Sequence, residues 1–227
     1  MSQTSSLKKE NQSWKKAWQQ PSFRFQFLFF VIVITGIAMF FPRFFDYLEA
    51  RDGAGMNDFI VSNLPPIDVS WQLFLILYTG ALIGFACNIR YPKIFLITIQ
   101  TYALVTLMRI ITLYFIPLNP PEGYIPLKEP VITFLFTTNG KICSKDLFFS
   151  GHVSMILSFY FPLKQRLYRN ILLLFSFMIG MLVLVQHVHY TIDVLVSFAA
   201  TYVCYGISKT FLAKSVKGDV KSVKCEG

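Results

Sequence analysis

Long apolar stretches alternate with polar segments along most of the chain. Six of these stretches are long enough to cross a bilayer as helices, which takes about 17 to 25 apolar residues. They cover Phe25–Phe41, Val69–Ile89, Ile94–Ile116, Leu147–Leu163, a stretch that follows the basic turn at 164–169 and ends at about Gln186, and a last one from about Val188 to Ser208. The pattern therefore predicts an all-α membrane protein, a bundle of six transmembrane helices with two long loops at 42–69 and 117–146.

Polar, lysine-bearing segments flank this bundle at both ends of the sequence. Residues 1–22 form a polar N-terminal segment that is too long for the start of a cleaved signal peptide, so we expect the first apolar stretch to be an uncleaved anchor. Residues 23–208 are the predicted transmembrane domain, and residues 209–227 are a basic tail. The segments outside the helices are too short to hold a hydrophobic core of their own.

Composition supports a membrane protein and argues against other classes. Hydrophobic residues make up 54% of the chain and charged residues 15%, whereas a soluble domain carries about 25% charged residues. The net charge of +9 does not indicate nucleic-acid binding, because the basic residues lie at the ends of the apolar stretches. Cys87 and Cys204 fall inside apolar stretches, which argues against a disulfide framework and against a cysteine metal site.

The distribution of basic residues predicts the orientation of the bundle. Six helices place both termini on the same side of the membrane. The two terminal segments, the adjacent Arg24 and the turns at 90–93 and 164–169, which all lie on that side, hold 15 of the 21 lysines and arginines. By the positive-inside rule, both termini are cytoplasmic and the long loops face the exoplasmic or periplasmic side.

A histidine and an aspartate stand at the start of the sixth stretch, in the sequence HYTIDV at 189–194. His189 and Asp193 are four residues apart, so in a helix they share one face and can form a hydrogen bond. In the catalytic interpretation, Asp193 fixes the tautomer of His189 and stabilises its imidazolium form, while the other ring nitrogen attacks phosphorus. The alternative is a structural pair, since a carboxylate at membrane depth costs several kcal/mol unless it is paired.

A second histidine follows a serine and a glycine in the sequence DLFFSGHVS at 146–154. We expect Ser150 to be the N-cap of a helix and Gly151 to leave the backbone bare. The free N–H groups and the positive end of the helix dipole would then bind an anion. His152, next to that anion site, suits a general acid that protonates a leaving oxygen. The predicted topology brings both histidine motifs to the outer face.

Other polar residues near the outer face are candidates for binding phosphate. Arg109 lies about two turns before Pro117, and it either coordinates phosphate or extends to the interface. Lys145 and Asp146 flank the SGH helix and either tune the site or are solvated loop charges. Tyr190, next to His189, completes the set. We expect no metal and no cofactor, because the chain has three histidines and no carboxylate cluster to assist them.

These motifs resemble those of the sphingomyelin synthase family, within the type 2 phosphatidic acid phosphatase superfamily. The pattern D-x3-SGH at Asp146–His152 and the sequence at His189–Val194 carry the resemblance. Arg109–Tyr114 is similar to the family's arginine–tyrosine region at the end of its third helix. Leu64–Asp68 is similar to its Pro-Leu-Pro-Asp segment before the second helix. The likeness spans roughly residues 25–208.

The resemblance implies a six-helix fold of the phosphatidic acid phosphatase type 2 kind, in which the transmembrane domain is catalytic. It assigns catalytic positions to His152, His189 and Asp193. His189 would attack the phosphorus of a phospholipid donor, displace diacylglycerol protonated by His152, and form a phosphohistidine. Ceramide or another lipid alcohol would then accept the phospho-headgroup, without a metal.

The chain also departs from the wider superfamily pattern. Leu182 and Val183 stand where the phosphatase branch has a serine and an arginine, and Cys143 is offset by one residue from the family's Cys-Gly-Asp pattern. The first alternative is a hydrolase that passes the phosphohistidine to water. The second is a non-catalytic lipid-binding membrane protein. The headgroup donor, the acceptor, the membrane and the oligomeric state are left open by the sequence.

Overall fold

The computed structural model describes residues 13–128 and 143–225, with side chains in the last helix described as far as Leu212. Residues 129–142 of the second predicted loop, and the first twelve residues of the N-terminal segment, lie outside this range. The described residues form eight helices: α1 Trp14–Trp18, α2 Pro21–Glu49, α3 Phe59–Ser62, α4 Ser70–Asn88, α5 Pro92–Phe115, α6 Gly151–Tyr160, α7 Arg166–Val185 and α8 Thr191–Cys225.

Five of these helices are long and apolar enough to cross a membrane. They are α2, α4, α5, α7 and the part of α8 from Thr191 to Leu212, among the residues that the structure describes. Regular structure in the same residues is helical, apart from one isolated bridge between Ala54 and Leu118. The predicted class, an all-α multi-pass membrane protein, is therefore confirmed.

The fourth predicted helix is much shorter than the sequence indicates. In place of Leu147–Leu163, α6 has ten residues, Gly151–Tyr160. Ten residues span about 15 Å, against a hydrocarbon core of about 30 Å. Pro162 follows the end of α6, and because it has no backbone N–H it cannot extend the helix's hydrogen-bond ladder.

Residues 147–150, which the pattern assigned to this helix, form a buried non-helical segment before α6. Two of its carbonyl groups accept hydrogen bonds from side chains of α5. Phe148 O accepts a hydrogen bond from Thr112 Oγ1 at 3.0 Å, and Phe149 O accepts one from Arg109 Nε at 2.9 Å. Irregular backbone at membrane depth is tolerated where the protein itself satisfies its polar groups. Hydropathy cannot distinguish such a segment from a helix.

The first and last membrane helices extend beyond their predicted ends. Helix α2 covers 29 residues, Pro21–Glu49, and continues through Pro42 into what the sequence assigned to a loop. Its C-terminal part packs on α5, where Phe44 and Leu48 contact Leu113. Helix α8 begins at Thr191, later than predicted, and continues past Ser208 into the basic tail as far as Cys225.

Helix α6 lies in the centre of the bundle and contacts α4, α5, α7 and α8. The main hydrophobic core surrounds it, with Val153, Ile156 and Leu157 fully buried. Helix α4 approaches it closely, because a Cβ added at Gly84 would lie 2.5 Å from the Cβ of Phe159. The small residue at position 84 therefore allows α4 to pack closely on α6. Helix α2 packs on the outside, against α5.

Candidate active site

Both histidine motifs and the buried arginine meet at one end of the bundle. His152 is in the first turn of α6, His189 lies two residues before α8, and Asp193 is in the first turn of α8. Arg109 reaches the same place from the last two turns of α5. The imidazole rings of His152 and His189 have their centroids 6.4 Å apart. Residues that are up to 84 positions apart in the sequence thus form one cluster.

His189 and Asp193 are almost completely buried, with 1% and 0% of their surfaces exposed. His189 Nδ1 lies 3.4 Å from Asp193 Oδ2, which also accepts a hydrogen bond from the backbone N of Tyr190 at 2.9 Å. The contact between the imidazole and Oδ2 is close but is not aligned as a hydrogen bond, so His189 Nδ1 has no hydrogen-bond partner among the described residues. The other carboxylate oxygen, Asp193 Oδ1, also has none among them. Nε2 is the ring nitrogen of His189 that points away from Asp193.

His152 lies between an aromatic wall and the second histidine. Its ring contacts Phe74 of α4 edge to face, with the centroids 6.0 Å apart. Within the described part of the chain its Nδ1 has no hydrogen-bond partner. The side chain is half-buried, more accessible than that of His189.

Arg109 is held in place by backbone and side-chain acceptors on the segment before α6. Its Nε donates to Phe149 O at 2.9 Å, and its Nη2 donates to Asp146 Oδ1 at 2.5 Å. Burial raises the pKa of the Asp146 carboxyl, but the charge and hydrogen bond of Arg109, together with the nearby His189 and His152, lower it by more, so the pKa is below its usual value. The arginine, buried to 8% exposure, points inward and does not extend to the interface.

The guanidinium also lies against the start of α6. A Cβ added at Gly151 would be 2.4 Å from Arg109 Nη1, so only glycine allows this close approach. Ser150 is the N-cap residue of α6, as the sequence predicts, but its hydroxyl makes no capping hydrogen bond. The bare backbone, the positive end of the helix dipole and the guanidinium together form an environment suited to an anion.

Two of the predicted phosphate-binding residues have partners away from this cluster. Lys145 Nζ donates to the backbone O of Glu49 at 3.1 Å and to that of Arg51. The Tyr190 hydroxyl donates to Asn119 O at 2.9 Å and accepts from Met56 N at 3.2 Å. Both side chains anchor loops at this end of the bundle, and their roles in phosphate binding stay predictions.

One residue next to the motif was not singled out from the sequence. The carboxylate of Asp58 accepts hydrogen bonds from Thr191, the first residue of α8. An aspartate before the apolar run at 59–61 is a local signal for a helix N-cap, and Asp58 does cap α3. That signal contains no information about the second helix that Asp58 reaches.

The chain was also compared with known proteins. Residues 143–210 match the family description PAP2 superfamily C-terminal, a stretch that contains both histidine motifs. Among curated proteins, none matches the chain. Members of this superfamily are generally phosphatases or phosphotransferases, so the match supports an enzyme of lipid phosphate chemistry. The chain is therefore similar to PAP2 superfamily proteins over residues 143–210, the stretch that holds His152, His189 and Asp193.

Proposed function

We propose that this protein is a lipid phosphotransferase of the sphingomyelin synthase type. It moves the phospho-headgroup of a phospholipid to ceramide or another lipid alcohol through a phosphohistidine. The observation that carries the proposal is the buried His189–Asp193 pair, which lies beside His152. The ring centroids of the two histidines are 6.4 Å apart. Arg109 and Gly151 contact each other at the same end of the bundle. Two histidines beside an anion environment suit a double displacement at phosphorus.

In the first step, His189 Nε2 attacks the phosphorus of the donor. The bond between phosphorus and the diacylglycerol oxygen breaks, and His152 donates a proton to that oxygen, so diacylglycerol leaves. Arg109 and the N-terminus of α6 hold the non-bridging oxygens. Asp193, 3.4 Å from His189 Nδ1, balances the positive charge that develops on the imidazole ring.

In the second step, His152, now neutral, removes the proton from the hydroxyl of the acceptor. The acceptor oxygen attacks phosphorus, the bond to His189 Nε2 breaks, and both histidines return to their starting protonation. Water in place of the lipid alcohol would complete a hydrolysis by the same steps. The acceptor that enters the site therefore decides between transferase and hydrolase.

The proposed orientation places this reaction at the outer leaflet, with both termini in the cytoplasm. It is supported by the concentration of lysine and arginine on the terminal side of the predicted bundle. Donor and acceptor would then both reach the cluster from the membrane.

The test is a product assay on protein reconstituted in lipid, with headgroup-labelled phospholipids and ceramide, for wild type and His189→Ala. Label appearing on ceramide, and lost in the variant, would support the transferase and identify the donor. Free phosphate or phosphoalcohol without transfer would establish the hydrolase instead. Equal turnover by the two proteins would show that His189 is not the nucleophile.

A trapping experiment tests the intermediate separately. Acid-labile, base-stable label from donor phosphate should appear on wild-type protein before the acceptor is added. It should be absent from His189→Ala, because the ring that carries phosphorus is gone. Label on the variant at the wild-type level would contradict the phosphohistidine.

A further inference from the structure

We propose that Asp58 is a positioning residue for the His189–Asp193 motif. The inference rests on the proposed function, because it assigns Asp58 a role in placing the nucleophile of that reaction. Asp58 lies in the segment between α2 and α3, 133 positions before Thr191 in the sequence. It does not belong to either histidine motif.

The carboxylate of Asp58 caps two helices at once. Its Oδ1 accepts hydrogen bonds from the backbone N of Ile60 at 3.0 Å and of Val61 at 3.2 Å, the ordinary N-cap of its own helix α3. Its Oδ2 accepts one from Thr191 N at 2.5 Å, and Oδ1 accepts another from Thr191 Oγ1 at 2.9 Å. The same side chain is therefore the cap of α8 as well.

Thr191 lies midway between His189 and Asp193, so its backbone determines how the two side chains face each other. Two consecutive backbone amides of this turn donate hydrogen bonds to carboxylates. Tyr190 N donates to Asp193 Oδ2 at 2.9 Å, and Thr191 N donates to Asp58 Oδ2. Asp193 holds the turn from within α8, whereas Asp58 holds it from outside. The orientation of the His189 ring depends on both attachments.

The segment around Asp58 contacts the same turn a second time. Met56 N donates to the Tyr190 hydroxyl at 3.2 Å. The segment is in turn tied to the residues after α5, through hydrogen bonds from Ala54 N to Pro117 O and from Asn119 N to Ala54 O. The catalytic turn thus rests on a framework built from the ends of α2 and α5, which themselves pack together.

The electrostatics are consistent with an ionised carboxylate at this position. Partial burial raises the pKa of Asp58, but the hydrogen bonds from Thr191, Val61 and Ile60 lower it by more, so the pKa lies below its usual value. A negative charge at the N-terminus of α8 also complements the helix dipole. Asp58 therefore remains charged at neutral pH and keeps all of its acceptor sites.

Asp58→Ser separates the two caps. Serine is as good an N-cap as aspartate, so α3 keeps its cap, but one short hydroxyl cannot also reach Thr191. We expect kcat for headgroup transfer to fall about 10- to 100-fold, since a displacement of about 1 Å at a reacting group can lower the rate by about 100-fold. KM should change less than twofold, because Asp58 does not contact the substrate in the proposed mechanism.

Two further variants make the result decisive. Thr191→Val removes the hydroxyl that donates to Asp58 and keeps the size of the side chain. It should lower kcat less than Asp58→Ser, and the double variant should be no slower than Asp58→Ser alone, because both changes break the same link. Asp52→Asn, a nearby exposed carboxylate, is the charge-matched control and should leave kcat and KM unchanged.

Each kcat is calculated per mole of folded protein. The folded fraction is taken from the monodisperse peak in size-exclusion chromatography. Wild-type kcat in Asp58→Ser would overturn the inference, and so would a loss that the folded fraction explains completely. If Asp58→Ser does not fold, Thr191→Val decides by the same criteria. His189→Ala is run beside them, because activity retained there would reject the proposed function and not only the role of Asp58.

Discussion

At the residue scale, Asp193 is the side chain whose environment most restricts what the site can be. It is a carboxylate with no exposed surface, and its partners are the Tyr190 N–H and the His189 ring. A buried charge is tolerated only when it is paired and hydrogen-bonded. Asp193 Oδ1 has no hydrogen-bond partner among the described residues, so the pair is only partly satisfied. A carboxylate 3.4 Å from the imidazole ring is placed to balance positive charge on that ring.

Replacing that charge tests its part in the chemistry. Asp193→Asn keeps the shape of the side chain and an oxygen that can face Tyr190 N, but it removes the charge that balances the His189 imidazolium. We expect kcat to fall about 10²- to 10⁴-fold, the range for groups that assist proton and charge transfer. Steady-state kinetics on the reconstituted protein measure this. Unchanged kcat in a folded variant would make the pair structural.

Glycine at position 151 is required by the approach of Arg109. In Gly151→Ala the new Cβ would lie 2.4 Å from Nη1, so the guanidinium must move away from the start of α6. We expect at least about a tenfold loss of kcat/KM, equal to about 1.4 kcal/mol of transition-state stabilisation. Gly206→Ala in α8 is the matched control, because an added Cβ there has no atom within 4 Å. Equal activity of the two variants would contradict this role.

At the element scale, the short helix α6 depends on close contact with α4. It begins late because carbonyl oxygens of the segment before it accept hydrogen bonds from the side chains of Thr112 and Arg109. It is stabilised by the helices that surround it, since ten residues form too few hydrogen bonds to be stable alone. The contact at Gly84 and Phe159 is the tightest part of this packing on α4.

A methyl group added at Gly84 should destabilise the bundle. In Gly84→Ala, the Cβ would lie 2.5 Å from both Cβ and Cγ of Phe159, and α4 must separate from α6. Overpacking of this kind lowers the free energy of unfolding by about 1–3 kcal/mol. Thermal unfolding in detergent, followed by the reactivity of the buried cysteines, measures it. Gly36→Ala in α2, where an added Cβ meets no atom within 4 Å, should be neutral or slightly stabilising.

At the scale of the whole molecule, the proposed orientation can be tested by chemical labelling. In a background with Cys143→Ser and Cys225→Ser, the cysteines that remain, Cys87 and Cys204, are buried. We expect a membrane-impermeant maleimide to label Asp52→Cys on intact cells and to label Ser13→Cys only after the cells are opened, because both parent residues are exposed and lie at opposite ends of α2. The reverse pattern would invert the orientation and place the site on the cytoplasmic side.

Much of this protein could be predicted from the sequence because the information is local. The bilayer requires long apolar helices, so hydropathy indicates where the chain crosses the membrane. Helical geometry places His189 and Asp193 on one face at a spacing of four residues. The basic residues predict a topology in which both histidine motifs share one end, and the structure brings them there.

Only the tertiary structure decided the features that depend on distant segments. The start of α6 at Gly151 is determined by Arg109 and Thr112 of α5, which take the carbonyl groups that a longer helix would have used. The second cap provided by Asp58 exists because the fold brings α3 against the start of α8. Local spacing restricts the conformation of a few neighbouring residues. These contacts join residues that are 36 to 133 positions apart, so no local pattern encodes them.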